Sequence, residues 1–303
     1  MGIAATSAFH KLAGVEILER EPMSRHTSFG IGGPADMLAL PHHAEALRQL
    51  LVACHDTGIK PFLIGNGTNI IVRDGGLRGV VIKLSDNFSE IRREGNLWIA
   101  ESGASLPLLC KQACCEGFQG LGFAAGIPGT VGGAVWMNAG TNEGDMGSVV
   151  RQLRAFTLAG EEVLLSGESL NFAYRHSDLQ QQDLVVAEVV FELTPGDPND
   201  LYSQLCCAIQ TRCERQPVAH NSAGSIFKRP PGDYAGRLVE AAGCKGLQVG
   251  GARISPKHAN FIINTGGATA TDVLDLIAEV RQRVFDQHGV WLETEVCVVG
   301  EDA

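Results

Sequence analysis

Gly126-Ile127-Pro128-Gly129-Thr130-Val131-Gly132-Gly133-Ala134 is the stretch on which the fold turns. Four glycines in eight positions exceed what a tight turn needs, and glycine is the residue that lets backbone come close to a ligand. The stretch lies inside a longer run, Gly120 to Gly140, that holds seven glycines and no sustained period. That run is too apolar for a disordered linker, so packing or a ligand must order it. A pyrophosphate and a flat ring lying on bare backbone would do so. Upstream, Gly65-Asn66-Gly67-Thr68-Asn69 sits between two apolar strands, Pro61 to Ile64 and Ile70 to Val72. Backbone N–H groups of such a loop make a nest for phosphate oxygens, to which Thr68 and both asparagines add side-chain bonds. A plain hairpin turn fits the same residues. Neither loop is a Rossmann fingerprint, because Ile70 stands where the third glycine belongs and a strand follows instead of a helix. No Walker A sequence is present either. What remains is a dinucleotide held by two glycine loops on a non-Rossmann α+β scaffold.

Composition narrows the class further. The 303 residues are 45% hydrophobic and 19% charged, enough to pack about two domains. Glycine, at 37 residues, is well above the usual ~7%. No apolar run reaches the ~18 residues of a membrane span, and no signal peptide is expected from an N-terminus that lacks the charged region and apolar block of one. Met1 to Thr6 fits the loose myristoylation pattern, one short enough to arise by chance. The net charge of -10 argues against nucleic acid or an anionic membrane as partner. Residues 201–260 run the other way, with eight basic groups against three acids, which suits a small anionic substrate. Nine cysteines without a C-x-x-C pair read as reduced thiols, most of them small core residues. No histidine or cysteine spacing suggests a metal.

Helices are expected over His43 to His55, Ser105 to Glu116, Asp200 to Arg215 and from Thr271 to a stop at Gly289. In the second of these, Leu106, Leu109, Cys110, Ala113 and Cys114 recur at the spacing of one buried face. Strands are expected over Leu184 to Leu193, Leu247 to Ile254, Ala259 to Asn264 and Val290 to Val299. Prolines, a glycine and turn formers from Thr194 to Asp200 mark a domain junction.

A further set of motifs runs in order along nearly the whole chain, from about Thr27 to Glu295. They are His26-Thr27-Ser28-Phe29-Gly30-Ile31-Gly32-Gly33-Pro34-Ala35-Asp36, the two glycine loops, Met137-Asn138-Ala139-Gly140, Tyr174-Arg175-His176-Ser177, Ser222-Ala223-Gly224-Ser225-Ile226-Phe227-Lys228 and Lys257-His258-Ala259-Asn260-Phe261. The series resembles that of the UDP-N-acetylmuramate dehydrogenases, also called UDP-N-acetylenolpyruvoylglucosamine reductases. The resemblance implies a two-part FAD-binding domain of the vanillyl-alcohol oxidase and p-cresol methylhydroxylase type, over residues 1–85 and 86–196. A C-terminal α+β substrate-binding domain, residues 197–303, would follow, its last strand free to return to the FAD half. It also implies bound FAD, NADPH as co-substrate, a UDP-sugar substrate, a cytoplasmic monomer and a role in peptidoglycan synthesis. Only about ten residues separate Tyr174 from the strand at Leu184, so the chain resembles the shorter subtype without an inserted tyrosine loop. Arg229 stands where many members have asparagine.

By the same resemblance, Gly65, Asn66, Gly67, Thr68, Asn69, Gly126, Gly129, Thr130, Gly132 and Gly133 hold the cofactor, and Arg175, Ser225 and Glu295 carry the chemistry. Arg175 would also hold the substrate, while the basic stretch of residues 201–260 offers Lys257 for the diphosphate and Lys228 either for the diphosphate or for stabilising the serine alkoxide. The chemistry makes sense of these types. Hydride addition to an enolpyruvyl ether leaves an enolate-like dianion on the carboxylate, which a planar guanidinium and a hydrogen-bonding acid stabilise as it forms. Ser225 would donate the proton. Glu295 would then be partly buried on its strand. Two other readings stand beside this one: a flavin oxidase of the same fold acting on another anion, and a non-catalytic UDP-sugar-binding protein.

Overall fold

The structure, a computed structural model, describes residues 8–303. The N-terminal myristoylation pattern lies outside the described residues. The chain is α+β and divides into two compact units, each assembled from several stretches. The first holds the described residues through Glu19, Met37–Asn66 and Gly79–Gln210; the second holds Arg20–Asp36, Gly67–Arg78 and Thr211–Ala303.

The early strands are β1 (Val15–Pro22), β2 (Pro34–Pro41), β3 (Phe62–Ile64), β4 (Ile70–Val72) and β5 (Leu77–Lys83). The parts of β1, β2, β5 and β3 in the first unit lie in a sheet of that order, with β3 parallel to β5. Helix α1 (Ala44–Asp56) starts where the His43 ring accepts the Ala46 N–H, and it buries Leu47, Leu50, Leu51 and Cys54. These residues pack with Val80, Ile82 and Phe88 into one core. A second core forms against an antiparallel sheet, built from β6 (Ile91–Glu94), β7 (Leu97–Glu101), β8 (Val150–Thr157), β9 (Glu162–Ser166) and β10 (Leu184–Glu192). Its order is β9-β8-β10-β7-β6. Helix α2 (Leu106–Cys115), capped by Ser105, buries the five residues that its spacing singles out. The short α3 (Val131–Trp136) grows from the glycine-rich run with Thr130 as its cap.

Helix α4 (Pro198–Arg215) buries only Leu205. The rest of it is a surface helix, and this corrects the expectation that most cysteines are core residues. Cys206, Cys207 and Cys213 on α4 are exposed, as is Cys115, while Cys54, Cys110, Cys114 and Cys244 are buried. All nine are free thiols, and burial pushes Cys54 up to about 12.

In the second unit, α5 (Ala235–Ala241), the hairpin of β11 (Gln248–Val249) and β12 (Ala252–Ile254), and β13 (Ile262–Asn264) pack against α6 (Ala270–His288). The helix begins at Ala270, one residue before the Thr271 start expected from sequence. Thr269 and Asp272 form a capping box, each side chain bonding the other's backbone N–H. Asp74 accepts from the next two free N–H groups, those of Ala270 and Thr271. Gly289, with φ of 68°, ends the helix in the left-handed conformation that favours glycine. The strand expected over Val290 to Val299 is shorter than that. Only β14 (Cys297–Val299) is a ladder, parallel to β4. Thr294 upstream makes an isolated bridge to Phe227.

Candidate active site

The loop Gly65–Asn69 is not a hairpin. The strand before it, β3, pairs with β5, whereas the strand after it, β4, pairs with β14 in another sheet. The chain passes from the first unit to the second between Asn66 and Gly67.

In the first unit the cofactor candidates converge. A Cβ on Gly65 would lie 2.3 Å from the Thr130 hydroxyl, and one on Gly132 would lie 2.7 Å from the Ser102 Cβ. Neither position tolerates a side chain without displacing its neighbour. The two loops are stitched through the turn after β7: Val131 N–H donates to Ala104 O, Gly132 N–H to Ser102 O, and Leu106 N–H to Gly129 O. Ser85 Oγ bonds Asn66 Oδ1, and a Cβ on Gly103 would strike the backbone of Ser85. Gly126 and Gly129 have φ of 72° and 124°, conformations that other residues rarely adopt. Gly133 N–H reaches the Thr130 hydroxyl, at 3.4 Å.

Two observations fit this cradle to a phosphate-bearing cofactor. The backbone N–H groups of Gly65, Asn66, Gly126 and Gly129 donate to no acceptor among the described residues. Buried polar groups of a folded protein are nearly always paired, yet the buried Ser102 Oγ also has no partner there. Ser102 and Ser85 are the cradle residues that sequence reading missed. The small-residue run Ser102-Gly103-Ala104-Ser105 between a strand and a helix was the available signal.

Arg175 also belongs to the first unit. Ala173 and His176 exchange two backbone bonds of 3.0 Å, which closes a turn with Tyr174 and Arg175 at its tip. Arg175 has φ of 54°, a left-handed conformation costing a non-glycine residue about 1 kcal/mol. The strain persists because the turn is held from below: the buried Ser177 hydroxyl donates to Trp136 O, and Gln180 donates to both Trp136 O and Arg175 O. Arg175 Nη1 donates to Gly140 O at 3.3 Å, and its guanidinium lies 5.2 Å from the Tyr174 ring centre. Asn138, from the Met137–Gly140 motif, is buried and bonds Asp145, Ala173 O and Gly147 N–H.

Ser225 and Glu295 lie in the second unit, on two extended segments bonded to each other. Glu295 N–H donates to Ile226 O at 2.8 Å, and Lys228 N–H donates to Glu293 O at 2.8 Å. Asn69 closes the far side, its amide donating to Glu295 O at 3.2 Å and its carbonyl accepting from Cys297 N–H. Both Ser225 and Glu295 are half-buried. Gly224, with φ of 76°, lies where a Cβ would come within 3.9 Å of Thr68 O. Gly67 is far tighter, since its Cβ would meet His26 O at 2.4 Å. Lys228 Nζ is 3.6 Å from Glu293 Oε2. Lys257 Nζ donates to Cys213 O, in the last turn of α4. Arg229 stacks over Tyr234, 3.9 Å from the ring centre. Burial holds the His258 imidazole below its usual pKa.

The chain is similar to the UDP-N-acetylenolpyruvoylglucosamine reductase of Clostridium botulinum, with 44% identity over 286 residues, 94% of this chain and 93% of that one. It belongs to the UDP-N-acetylenolpyruvoylglucosamine reductase family. The Pediococcus pentosaceus reductase is also 44% identical, over 95% of this chain and 96% of its own. A model of the reductase C-terminal domain matches residues 216–299, and an FAD-binding domain model matches residues 35–166. The crystal structure of the reductase from Thermus caldophilus superposes with a TM-score of 0.82 at 35% identity, covering 94% of this chain and 99% of that one. As a member of this reductase family, the chain is an FAD-dependent oxidoreductase with NADPH as co-substrate. The FAD-binding match takes in both glycine loops, and the C-terminal match takes in Ser225 and Glu295. No described helix is long and apolar enough to cross a membrane. Among the described residues there is no cluster of three or more metal-ligating side chains.

Proposed function

We propose that the chain reduces UDP-N-acetylglucosamine enolpyruvate to UDP-N-acetylmuramate, as a cytoplasmic monomer supplying peptidoglycan precursors. The observation that carries this reading is the likeness to the named reductases over nearly all of both chains. FAD would be held on the backbone of Gly65–Asn69 and Gly126–Gly133, where it would supply hydride transfer from NADPH to the substrate methylene carbon.

Every other task falls to side chains. Arg175 presents a planar fork to the substrate carboxylate, and Glu295 shares a hydrogen bond with that carboxylate as negative charge builds on it. Ser225 gives its proton to the carbon bearing the carboxylate. A serine hydroxyl is a weak acid, so it serves only because the carbanion is strongly basic. Lys228 and Lys257 draw the diphosphate. Support for Ser225 and Glu295 as partners comes from the bond between their segments. Support for Arg175 comes from the strained turn that presents it.

The test is direct. Purified protein should be yellow, release FAD on denaturation, and convert the enolpyruvyl substrate with consumption of NADPH. A colourless protein that cannot be reconstituted with FAD would leave only a binding role. A yellow protein that is reoxidised by oxygen but not by the enolpyruvyl substrate would favour an oxidase.

A further inference from the structure

Asn260 is buried, only 8% exposed, and its side chain makes two bonds to one residue. Its Oδ1 accepts the Phe227 N–H at 3.0 Å, and its Nδ2 donates to the Phe227 carbonyl at 2.9 Å. Its own carbonyl accepts the Ile226 N–H at 2.9 Å, and its own N–H is held by His258 Nδ1 at 3.2 Å. Phe227 is 1% exposed, so its backbone groups have no recourse to water.

The segment from Ser225 to Lys228 therefore has different neighbours on its two edges. One edge meets the peptide groups of Glu293 and Glu295. The other meets the Asn260 side chain, which replaces a peptide unit of a missing strand. An amide offers a donor and an acceptor in one plane; an ionised carboxylate offers acceptors alone, and an aliphatic side chain neither. The bridges here are isolated pairs, Ser225 with Phe261 and Phe227 with Thr294, so no extended ladder fixes the register. We infer that Asn260 is the positioning residue that sets the Ser225 hydroxyl relative to Glu295. This rests on the reading of Ser225 as the proton donor.

The experiment uses the flavin-loaded enzyme and follows the two half-reactions separately by stopped flow. In Asn260→Ala, flavin content and bleaching by NADPH stay at the wild-type level. Reoxidation by UDP-N-acetylglucosamine enolpyruvate slows by about 10²-fold, the loss that a displacement near 1 Å produces. Asn260→Asp keeps the shape and supplies a second readout. Its ionised carboxylate faces the Phe227 carbonyl, whereas the protonated acid can again donate to it. Relative to wild type at each pH, reoxidation of Asn260→Asp is slow at high pH and recovers as pH falls. Asn260→Ala shows no such recovery, and if it fails to fold, Asn260→Asp decides alone. A folded variant reoxidised at the wild-type rate, equal slowing of both half-reactions, or an Asn260→Asp without recovery at low pH would overturn the inference. Ser225→Ala, measured alongside, separates the two assignments. Normal reoxidation in Ser225→Ala defeats the reading of Ser225 itself, whereas slow Ser225→Ala with normal Asn260 variants defeats only the role of Asn260.

Discussion

The glycine cradle of the first unit and the paired segments of the second are made in opposite ways. Around Gly65 and Gly132 the structure works by omission: backbone is left bare, and an added Cβ would meet Thr130 or Ser102 at well below contact distance. Around Ser225 and Glu295 it works by fixing side chains on short extended segments, with Asn69 and Asn260 bonding the backbone between them. Such sites fail differently. The first breaks when atoms are added, the second when they are removed.

The largest expected effect follows from adding atoms. Gly65→Val or Gly129→Val should abolish flavin binding, read as loss of visible absorbance in folded protein, while Ser225→Ala keeps its full complement. A yellow Gly65→Val protein would end the contrast. Next comes removal of the hydroxyl. Ser225→Ala should bleach normally with NADPH but reoxidise about 10²- to 10⁴-fold more slowly with the enolpyruvyl substrate, the range for lost general-acid assistance. Equal slowing of both steps would make Ser225 part of the flavin site instead.

Smaller changes belong to charge. Lys228→Ala should raise the KM for substrate about 10-fold or more, as loss of a charged hydrogen bond does, with flavin content unchanged. Lys257→Ala should raise KM too, and should also lower Tm because it uncaps the Cys213 carbonyl. The smallest effect concerns stability alone. Thr269→Ala should cost about 1 kcal/mol in denaturant unfolding and leave both half-reactions intact. Backbone bonds from Thr269 and Gly251 hold the Asp272 carboxyl below its usual pKa. Its contribution is therefore complete above the unfolded-state value near 4 and is lost as pH falls through the lower folded-state value. Acid titration of unfolding in Asp272→Asn should flatten there.

Much of this was legible from local pattern. The buried face of α2, the stop at Gly289 and the glycine density of both loops all depend on near neighbours in the chain. The start of α6 was expected at Thr271, one residue late, although Thr269 and Asp272 stand at capping-box spacing. Partner choice was not legible. Nothing local says that β3 joins β5 while β4 waits for β14, since a strand's face pattern carries no address. Leu292 and Val296 are buried, but nothing local could reveal that the segment before Cys297 makes one isolated bridge, from Thr294, instead of a ladder. Exposure of the α4 cysteines was missed for a similar reason: apolar letters on a helix become core only if another element covers them.

The pairing of β4 with β14 has a consequence for synthesis. Asn69 finds its partner Glu295 226 positions later, so the early pieces of the second unit must wait for the last. At translation rates of roughly 5–20 residues per second that interval is about 10–45 s. Throughout it, Ile70, Ile71 and Val72 lack the strand they will pair with, an apolar β-branched edge of the kind that recruits other chains. The first unit needs nothing beyond Gln210 and can close meanwhile. Nascent chains stalled between these two points should therefore carry a protease-resistant first half and a second half that is the principal client for chaperones.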